Sequence, residues 1–357
     1  MTTTTDIRLC RTFQTAPAAV PTANTAKYLV SGLDADGFEA PDWLVPDLED
    51  GTAPDMKAEG LENVLERVPK HEFPGEIWPR VEWSYVDETA RERGRHQIDR
   101  LVSELGDEID GVVVPKVGRL EDVERAAAVV AEAEGTHGYD DGAIGLSVIV
   151  ESARARSDLR EIARFGENSR LAALVFGPVD YTAELGGRDM GDGRPRWDGL
   201  LEALSNEASA AGLLAIGGPF DDLFTERAGV TSYNATEYAD QVERETRLGL
   251  DGSWSLHPKQ TIQANTIHMP TPTELERDVE RIERFAEARR EGTGAVAIDG
   301  QMVDEATAKG FRNTVRTVRT IHRTRPDQTD AHYDERLLNR ALDLELRSDG
   351  RAGEKTV

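Results

Sequence analysis

GVVVPKV (111–117), RLEDVERAAAVVAEAE (119–134) and GLSVIV (145–150) follow one another along the chain, and their order decides the fold. The two outer runs are apolar almost throughout rather than alternating, as strands buried on both faces of a parallel sheet are. In the middle stretch Leu120, Val123, Ala127 and Val130 recur at helical spacing. Its acidic residues lie near the start, where the positive end of the helix dipole favours them. Outward from this strand–helix–strand unit, similar apolar runs appear at RLCRTFQ (8–14), WLVPDL (43–48), IWPRVEW (77–83), LAALVFG (171–177), LLAIGG (213–218) and SWSL (253–256). In DETARERGRHQIDRLVSEL (87–105), Ile98, Leu101, Val102 and Leu105 again have helical spacing. Eight strands alternating with helices predict a (β/α)₈ TIM barrel, an α/β fold. A doubly wound open sheet is the alternative; it predicts a G-x-G-x-x-G phosphate loop after the first strand, and none is present.

The barrel pattern fills residues 1–268. MPTPTELERDVERIERFAEARREG (269–292) opens on turn residues and becomes a helix. From 292 to 322 the sequence predicts a Gly-rich turn, two short strands joined by Asp299-Gly300, and another helix. Gly292, Gly294 and Gly300 make this C-terminal helical segment, 269–322, a candidate lid. Residues 323–357 read as a charged, partly disordered tail.

The 357 residues carry 67 acidic and 42 basic side chains, a formal charge of −25, which argues against nucleic acid and against anionic membranes as partners. Only seven of the basic residues are Lys. An acid-rich, lysine-poor surface is expected of a halophilic protein, one that stays soluble in concentrated salt. The single cysteine, Cys10, allows no intrachain disulfide. No apolar run is long enough to span a bilayer, and MTTTTDIRLC lacks the pattern of a signal peptide, so a cytoplasmic location is expected.

In barrel enzymes the chemistry comes from the C-terminal ends of the strands. There the second run supplies Asp47, Glu49 and Asp50, the third Arg80, the fourth Lys116, the fifth Glu151, the sixth Asp180 and the eighth His257. Glu151 and Asp180 stand on adjacent strands. Two carboxylates without His or Cys suit a hard cation, Mg²⁺ first and Mn²⁺ second, and not zinc. Each could instead cap a helix or pair with an Arg. Arg80 in a buried strand needs an anion: Glu49 or Asp50 as structural partners, or a substrate carboxylate. Lys116 is either a Schiff-base lysine or half of an ion pair. His257 is a general base, an orienting group, or a histidine bonded to a backbone carbonyl.

These motifs resemble the citrate lyase β-subunit-like family, which includes malyl-CoA and citramalyl-CoA lyases. The matching pieces are RTFQTAP (11–17), PDLEDGTAP (46–54), Arg80, VVVPKV (112–117), SVIVESARA (147–155), VFGPVDYTAELG (175–186), AAGLLAIGGPF (210–220), GLDGSWSLHPKQ (249–260) and IDGQMVDEA (298–306). Any one is weak; the ordered series from Arg11 to Ile321 is specific. The loop at 18–42 departs from the family's short P-G-x-x-P segment.

The resemblance implies a barrel, Mg²⁺, and reversible cleavage of malyl-CoA or β-methylmalyl-CoA to glyoxylate and acetyl-CoA or propionyl-CoA. It assigns Glu151 and Asp180 as metal ligands, Arg80 as the grip on the oxoacid carboxylate, Arg11 as a neighbour of the CoA phosphates, and Glu49 and Asp50 as the acidic pair beside the metal. Asp304 becomes the acid/base that serves the acyl-CoA enolate, reaching a neighbouring subunit's site in a homotrimer or homohexamer. Lys116 then falls to a supporting part, with His257 beside the substrate. The rival activities are a malate synthase that also hydrolyses the thioester, a citramalyl-CoA lyase that releases pyruvate, and a CoA-independent metal aldolase. A non-catalytic barrel that binds an acyl-CoA or a protein is a further class, disfavoured because every catalytic position is filled.

Overall fold

The structure is a computed structural model, described here over residues 8–188, 197–227 and 230–346. It divides into two compact units, Cys10–Asn265 and the C-terminal region from Thr266, the latter joined by Arg8 and Leu9.

The first unit is built on eight parallel strands: β1 (Thr12–Pro17), β2 (Trp43–Asp47), β3 (Glu76–Ile77), β4 (Gly111–Val114), β5 (Gly145–Val150), β6 (Leu171–Phe176), β7 (Leu214–Ile216) and, after a hairpin of β8 (Phe224–Arg227) and β9 (Val230–Tyr233), β10 (Ser253–Ser255). They pair in the orders β10-β1-β2-β3 and β4-β5-β6-β7. Parallel bridges join the two sets, Asp47 to Arg80 and Arg80 to Val113 on one side, Ile216 to Gly252 on the other. The strands therefore form a closed ring, and the predicted barrel is what the chain builds.

Burial explains the unbroken apolar runs. Trp43 and Val45, Val113, Ile149, and Ala173 and Val175 belong to an inner cluster with Phe13, Trp78, Ile216 and Trp254. Their neighbours Leu44, Val112, Val114, Val148, Val150, Leu174 and Phe176 pack in the outer layer with the helices. The strands β2, β4, β5 and β6 are thus apolar on both faces. At the centre of the inner cluster the Trp43 and Trp78 rings stack at 4.0 Å. Gly111 is required beside them, since a Cβ there would lie 2.1 Å from the Trp78 ring.

The helices between strands are α1 (Lys27–Leu33), α2 (Lys57–Arg67), α3 (Glu88–Leu105), α4 (Leu120–His137), α5 (Ala153–Ser157), α6 (Leu159–Gly166), α7 (Pro178–Glu184), α8 (Asp198–Ala211), α9 (Ala235–Arg247) and α10 (Pro258–Ile267). In α3, Asp87 caps the N–H groups of Thr89 and Ala90, and Ile98, Leu101, Val102 and Leu105 are buried, the face expected from the spacing.

Two strand boundaries and one added hairpin differ from the sequence reading. The first strand begins at Thr12 rather than near residue 8. The third is regular only at Glu76–Ile77, because Pro79 has no N–H for the ladder; Arg80 rejoins it by single bridges. The β8–β9 hairpin was not foreseen, since its strands are four residues each and half polar.

In the C-terminal unit, α11 (Pro272–Arg290) is followed by a hairpin of β11 (Val296–Ile298) and β12 (Gln301–Val303), then α12 (Glu305–Thr324), α13 (Pro326–His332) and α14 (Glu335–Asp343). Asp299 and Gly300 both have positive φ, 50° and 80°, as a two-residue hairpin turn demands. Residues 326–343, within the stretch read as a tail, are largely helical; those beyond 346 lie outside the described residues.

Candidate active site

The strand ends supply the site from the barrel's C-terminal rim. Asp47, the last residue of β2, is buried and faces Arg80. Arg80 Nε donates to Asp47 Oδ1 at 2.8 Å, and Nη2 bonds Asp47 Oδ2. Glu49 Oε2 lies 3.5 Å from Arg80 Nη1, and the guanidinium sits 5.6 Å from the Trp254 ring centre. The chief structural partner of Arg80 is thus Asp47, where the sequence pointed to Glu49 or Asp50. Burial opposes the Arg80 charge, but Asp47 and then Glu49 outweigh it and raise the pKa above the ordinary arginine value. Asp47 also accepts the N–H groups of Glu49 at 2.9 Å and Gly51 at 2.8 Å, which fixes the acidic turn.

Lys116 joins that turn to the next carboxylate. Its backbone is left-handed, φ 49°, and its ammonium bonds Glu49 and, at 2.7 Å, Asp50. Its backbone N–H donates to Glu151 Oε1 at 2.6 Å. Burial pushes the ammonium pKa down, and the two carboxylates more than reverse this, so Lys116 is held protonated. That removes the Schiff-base reading, which needs a neutral amine. Burial raises Glu49 against the pull of Arg80 and Lys116; it also favours neutral Asp50, but there the Lys116 hydrogen bond wins and the pKa falls.

Glu151 is buried at the end of β5, and Asp180 lies in the first turn of α7, just past β6. Burial first, then the charge of Asp180, pushes Glu151 up to about 8. A buried carboxylate destabilised by burial and by a neighbouring carboxylate suits a cation beside it. Gly177 leaves the needed room, since a Cβ there would stand 2.4 Å from Glu151 Oε2. Among the described residues no three His, Cys, Asp or Glu gather as a metal cage. A donor set of two carboxylates, completed by water and substrate oxygens, fits Mg²⁺ and not a zinc site.

The other predicted residues fall elsewhere. Arg11 precedes β1 and so lies at the opposite, N-terminal end of the ring. It is 1% exposed and forks onto Asp42, with Nε to Oδ2 and Nη2 to Oδ1 both at 2.8 Å. This buried pair holds the guanidinium to Asp42, and only the resemblance sets Arg11 beside the CoA phosphates. His257 follows β10, with its ring 6.0 Å from those of Phe224 and Tyr233. Its Nδ1 accepts the Lys259 N–H at 3.1 Å, so the neutral ring carries its proton on Nε2. Burial and Lys259 lower its pKa, and it presents a donor rather than a base. Asp304 belongs to the C-terminal unit, where it caps α12 by accepting the Thr307 N–H at 2.8 Å. That bond holds its pKa below the ordinary carboxylate value.

A ring of parallel strands with carboxylates, a guanidinium and an ammonium at one rim defines an aldolase-type barrel. Residues 33–258 match the HpcH/HpaI aldolase/citrate lyase family, and the chain belongs to it. It is 64% identical to the L-malyl-CoA/β-methylmalyl-CoA lyase of Haloarcula marismortui, over 95% of this chain and 99% of that one. It is 36% identical to the malate synthase of Haloferax volcanii, over 86% of this chain and 71% of the relative. The structure of that synthase with magnesium and glyoxylate superposes with a TM-score of 0.69 at 29% identity, covering 95% of this chain and 99% of the other.

Proposed function

We propose that this chain is a metal-dependent carbon–carbon lyase that reversibly cleaves L-malyl-CoA or β-methylmalyl-CoA into glyoxylate and acetyl-CoA or propionyl-CoA. The observation that carries the chemistry is the buried Glu151 beside Asp180, at the same rim as a buried Arg80 that Asp47 holds in place. The malyl-type substrate rests on the 64% identity to the Haloarcula lyase.

Glu151 and Asp180 would hold a divalent cation, Mg²⁺ first, which supplies Lewis-acid polarisation of the oxygen on the carbon that becomes the aldehyde. Asp47 engages two of the five N–H donors of Arg80, and the remaining donors bind the oxoacid carboxylate. Glu49 and Asp50 hold the Lys116 ammonium, which keeps the acidic turn fixed as charge shifts during the reaction. The 2-hydroxyl gives up its proton to solvent as its oxygen becomes the aldehyde carbonyl, and breaking the C2–C3 bond leaves an electron pair on the acyl-CoA fragment. Asp304, reaching in from a neighbouring subunit of a homotrimer or homohexamer, delivers the proton to that carbon and removes it in the reverse direction. A cytoplasmic location and the salt-adapted surface belong to this reading.

The 36% identity to a malate synthase makes thioester hydrolysis the second reading. Incubation with Mg²⁺, concentrated KCl, glyoxylate and acetyl-CoA or propionyl-CoA separates the two, followed by mass analysis of CoA esters. A malyl-type thioester without free CoA is expected, and Asp180→Ala should abolish it. Accumulating free CoA would identify a synthase, and turnover with pyruvate alone a citramalyl-type lyase. Inertness towards both oxoacids in folded protein would overturn the CoA-lyase reading.

A further inference from the structure

We infer that Glu184, with Tyr85 as its partner, is a positioning residue that holds Asp180 in register with Glu151 and thereby sets the affinity of the site for its cation. The inference rests on the reading of Glu151 and Asp180 as metal ligands.

Asp180 is carried by α7, a helix of seven residues. A helix this short has little stability of its own and takes its position from what it touches. Its inner side packs Tyr181 against Phe176 and Trp197, with ring centres 5.8 and 5.1 Å away. Its last residue, Glu184, stands one turn beyond Asp180 on the same side of the helix. Both oxygens of the Glu184 carboxylate are used. Oε1 accepts the N–H of Ala153 at 3.0 Å, and Oε2 accepts the Tyr85 hydroxyl at 3.2 Å. Ala153 lies two residues past Glu151, so one carboxylate ties the helix of the second ligand to the strand end of the first.

Tyr85 closes a circuit. Its N–H donates to the Lys116 carbonyl at 2.9 Å, and the Lys116 N–H donates to Glu151 at 2.6 Å. The guanidinium of Arg154 lies 5.1 Å from the Tyr85 ring centre, and Gly118 leaves space for that ring, which a Cβ would approach to 2.6 Å. The path Glu151–Lys116–Tyr85–Glu184–Asp180 therefore links the two carboxylate-bearing segments through hydrogen bonds and one helical turn. Neither Tyr85 nor Glu184 contacts the cation; each acts through the separation of the two carboxylates.

The test measures Mn²⁺ binding to the full chain in concentrated KCl by electron paramagnetic resonance, without substrate, for the wild type, Glu184→Ala, Glu184→Gln, Tyr85→Phe and the Tyr85→Phe/Glu184→Ala pair. Loss of both hydrogen bonds in Glu184→Ala should weaken Mn²⁺ about 5- to 20-fold, and Tyr85→Phe about 2- to 5-fold. Glu184→Gln, which keeps one acceptor oxygen, should fall between wild type and Glu184→Ala. The double variant should match Glu184→Ala alone, since the hydroxyl of Tyr85 acts only through its bond to Glu184. Unfolding temperatures without metal should not move with these affinities, as Glu184 is exposed. Wild-type affinity in Glu184→Ala, with binding lost in Asp180→Ala, would overturn this inference alone. Undiminished binding in Asp180→Ala would overturn the metal reading and this inference with it.

Discussion

Asp47 and Arg80 are bridge partners across the barrel wall, and the carboxylate of the first engages the guanidinium of the second with both oxygens. The same carboxylate anchors the turn that presents Glu49 and Asp50. One side chain thus orients both the cationic and the anionic parts of the rim. Removing it strands a buried guanidinium. Asp47→Ala should lower stability by about 3–5 kcal/mol, the usual result of breaking one half of a buried pair. Urea denaturation in KCl measures this. Asp47→Asn keeps the shape and one acceptor oxygen; it should fold, with a raised KM for the oxoacid. Wild-type stability in Asp47→Ala would show that Glu49 alone suffices to hold Arg80.

Much of this was legible in the sequence. Runs apolar on both faces marked a parallel ring, and the strand-end rule placed Glu49, Asp50, Arg80, Lys116, Glu151 and Asp180 at one rim. Asp47 was visible, but its pairing with Arg80 depends on inter-strand register, which Pro79 disturbs and spacing alone does not reveal. Arg11 took its place beside the CoA phosphates from the resemblance alone; the strand starts at Thr12, and Arg11 lies before it, paired with Asp42. Glu184 lay unremarked inside VFGPVDYTAELG; its role needs the contacts with Ala153 and Tyr85, which are distant in sequence.

Lys116 sits where a Schiff-base lysine would, yet its charge is locked by Glu49 and Asp50. Borohydride added during turnover with glyoxylate should therefore leave the enzyme active and produce no mass adduct at Lys116. Lys116→Ala should cut kcat/KM severely, because the acidic pair loses its counter-charge, and Lys116→Arg should restore part of it. A reduced adduct on this lysine would reverse the assignment.

Glu245 offers a pH handle away from the rim. It is buried beneath β10, where Ser253 Oγ donates to it and Gln241 Nε2 donates at 3.0 Å. Burial pushes its pKa up to about 7, against those hydrogen bonds and the charge of Arg244. A carboxyl raised in the folded state takes its proton more readily there than in the unfolded chain. Its stabilising contribution is full below the unfolded value of 4.5 and is lost as pH rises through about 7. The loss is on the order of 3 kcal/mol. Glu245→Gln keeps an acceptor for Gln241 and turns an amide N–H₂ to the Ser253 hydroxyl, which then accepts, but it cannot ionise. Urea midpoints at about pH 5 and pH 8 should converge for the variant while the wild type declines. An equal decline in both proteins would assign the effect to other groups.

Asp304 is the one proposed catalytic residue outside the barrel unit, and subunit mixing decides whose site it serves. Asp304→Asn retains an acceptor for the Thr307 N–H, so α12 stays capped, but it cannot carry the proton. Asp180→Ala removes a metal ligand instead. Each variant alone should be inactive. In a closed ring of subunits, a site is complete only if its own chain has Asp180 and the neighbour has Asp304. Random equimolar assembly of the two variants meets both conditions at about a quarter of the sites, so mixed oligomers should recover about a quarter of wild-type turnover. Were Asp304 to serve its own chain, no mixture could combine the two intact groups, and activity would stay at the level of the separate variants. Refolding the variants together from urea into KCl, with separately refolded samples alongside, distinguishes the two arrangements by activity alone.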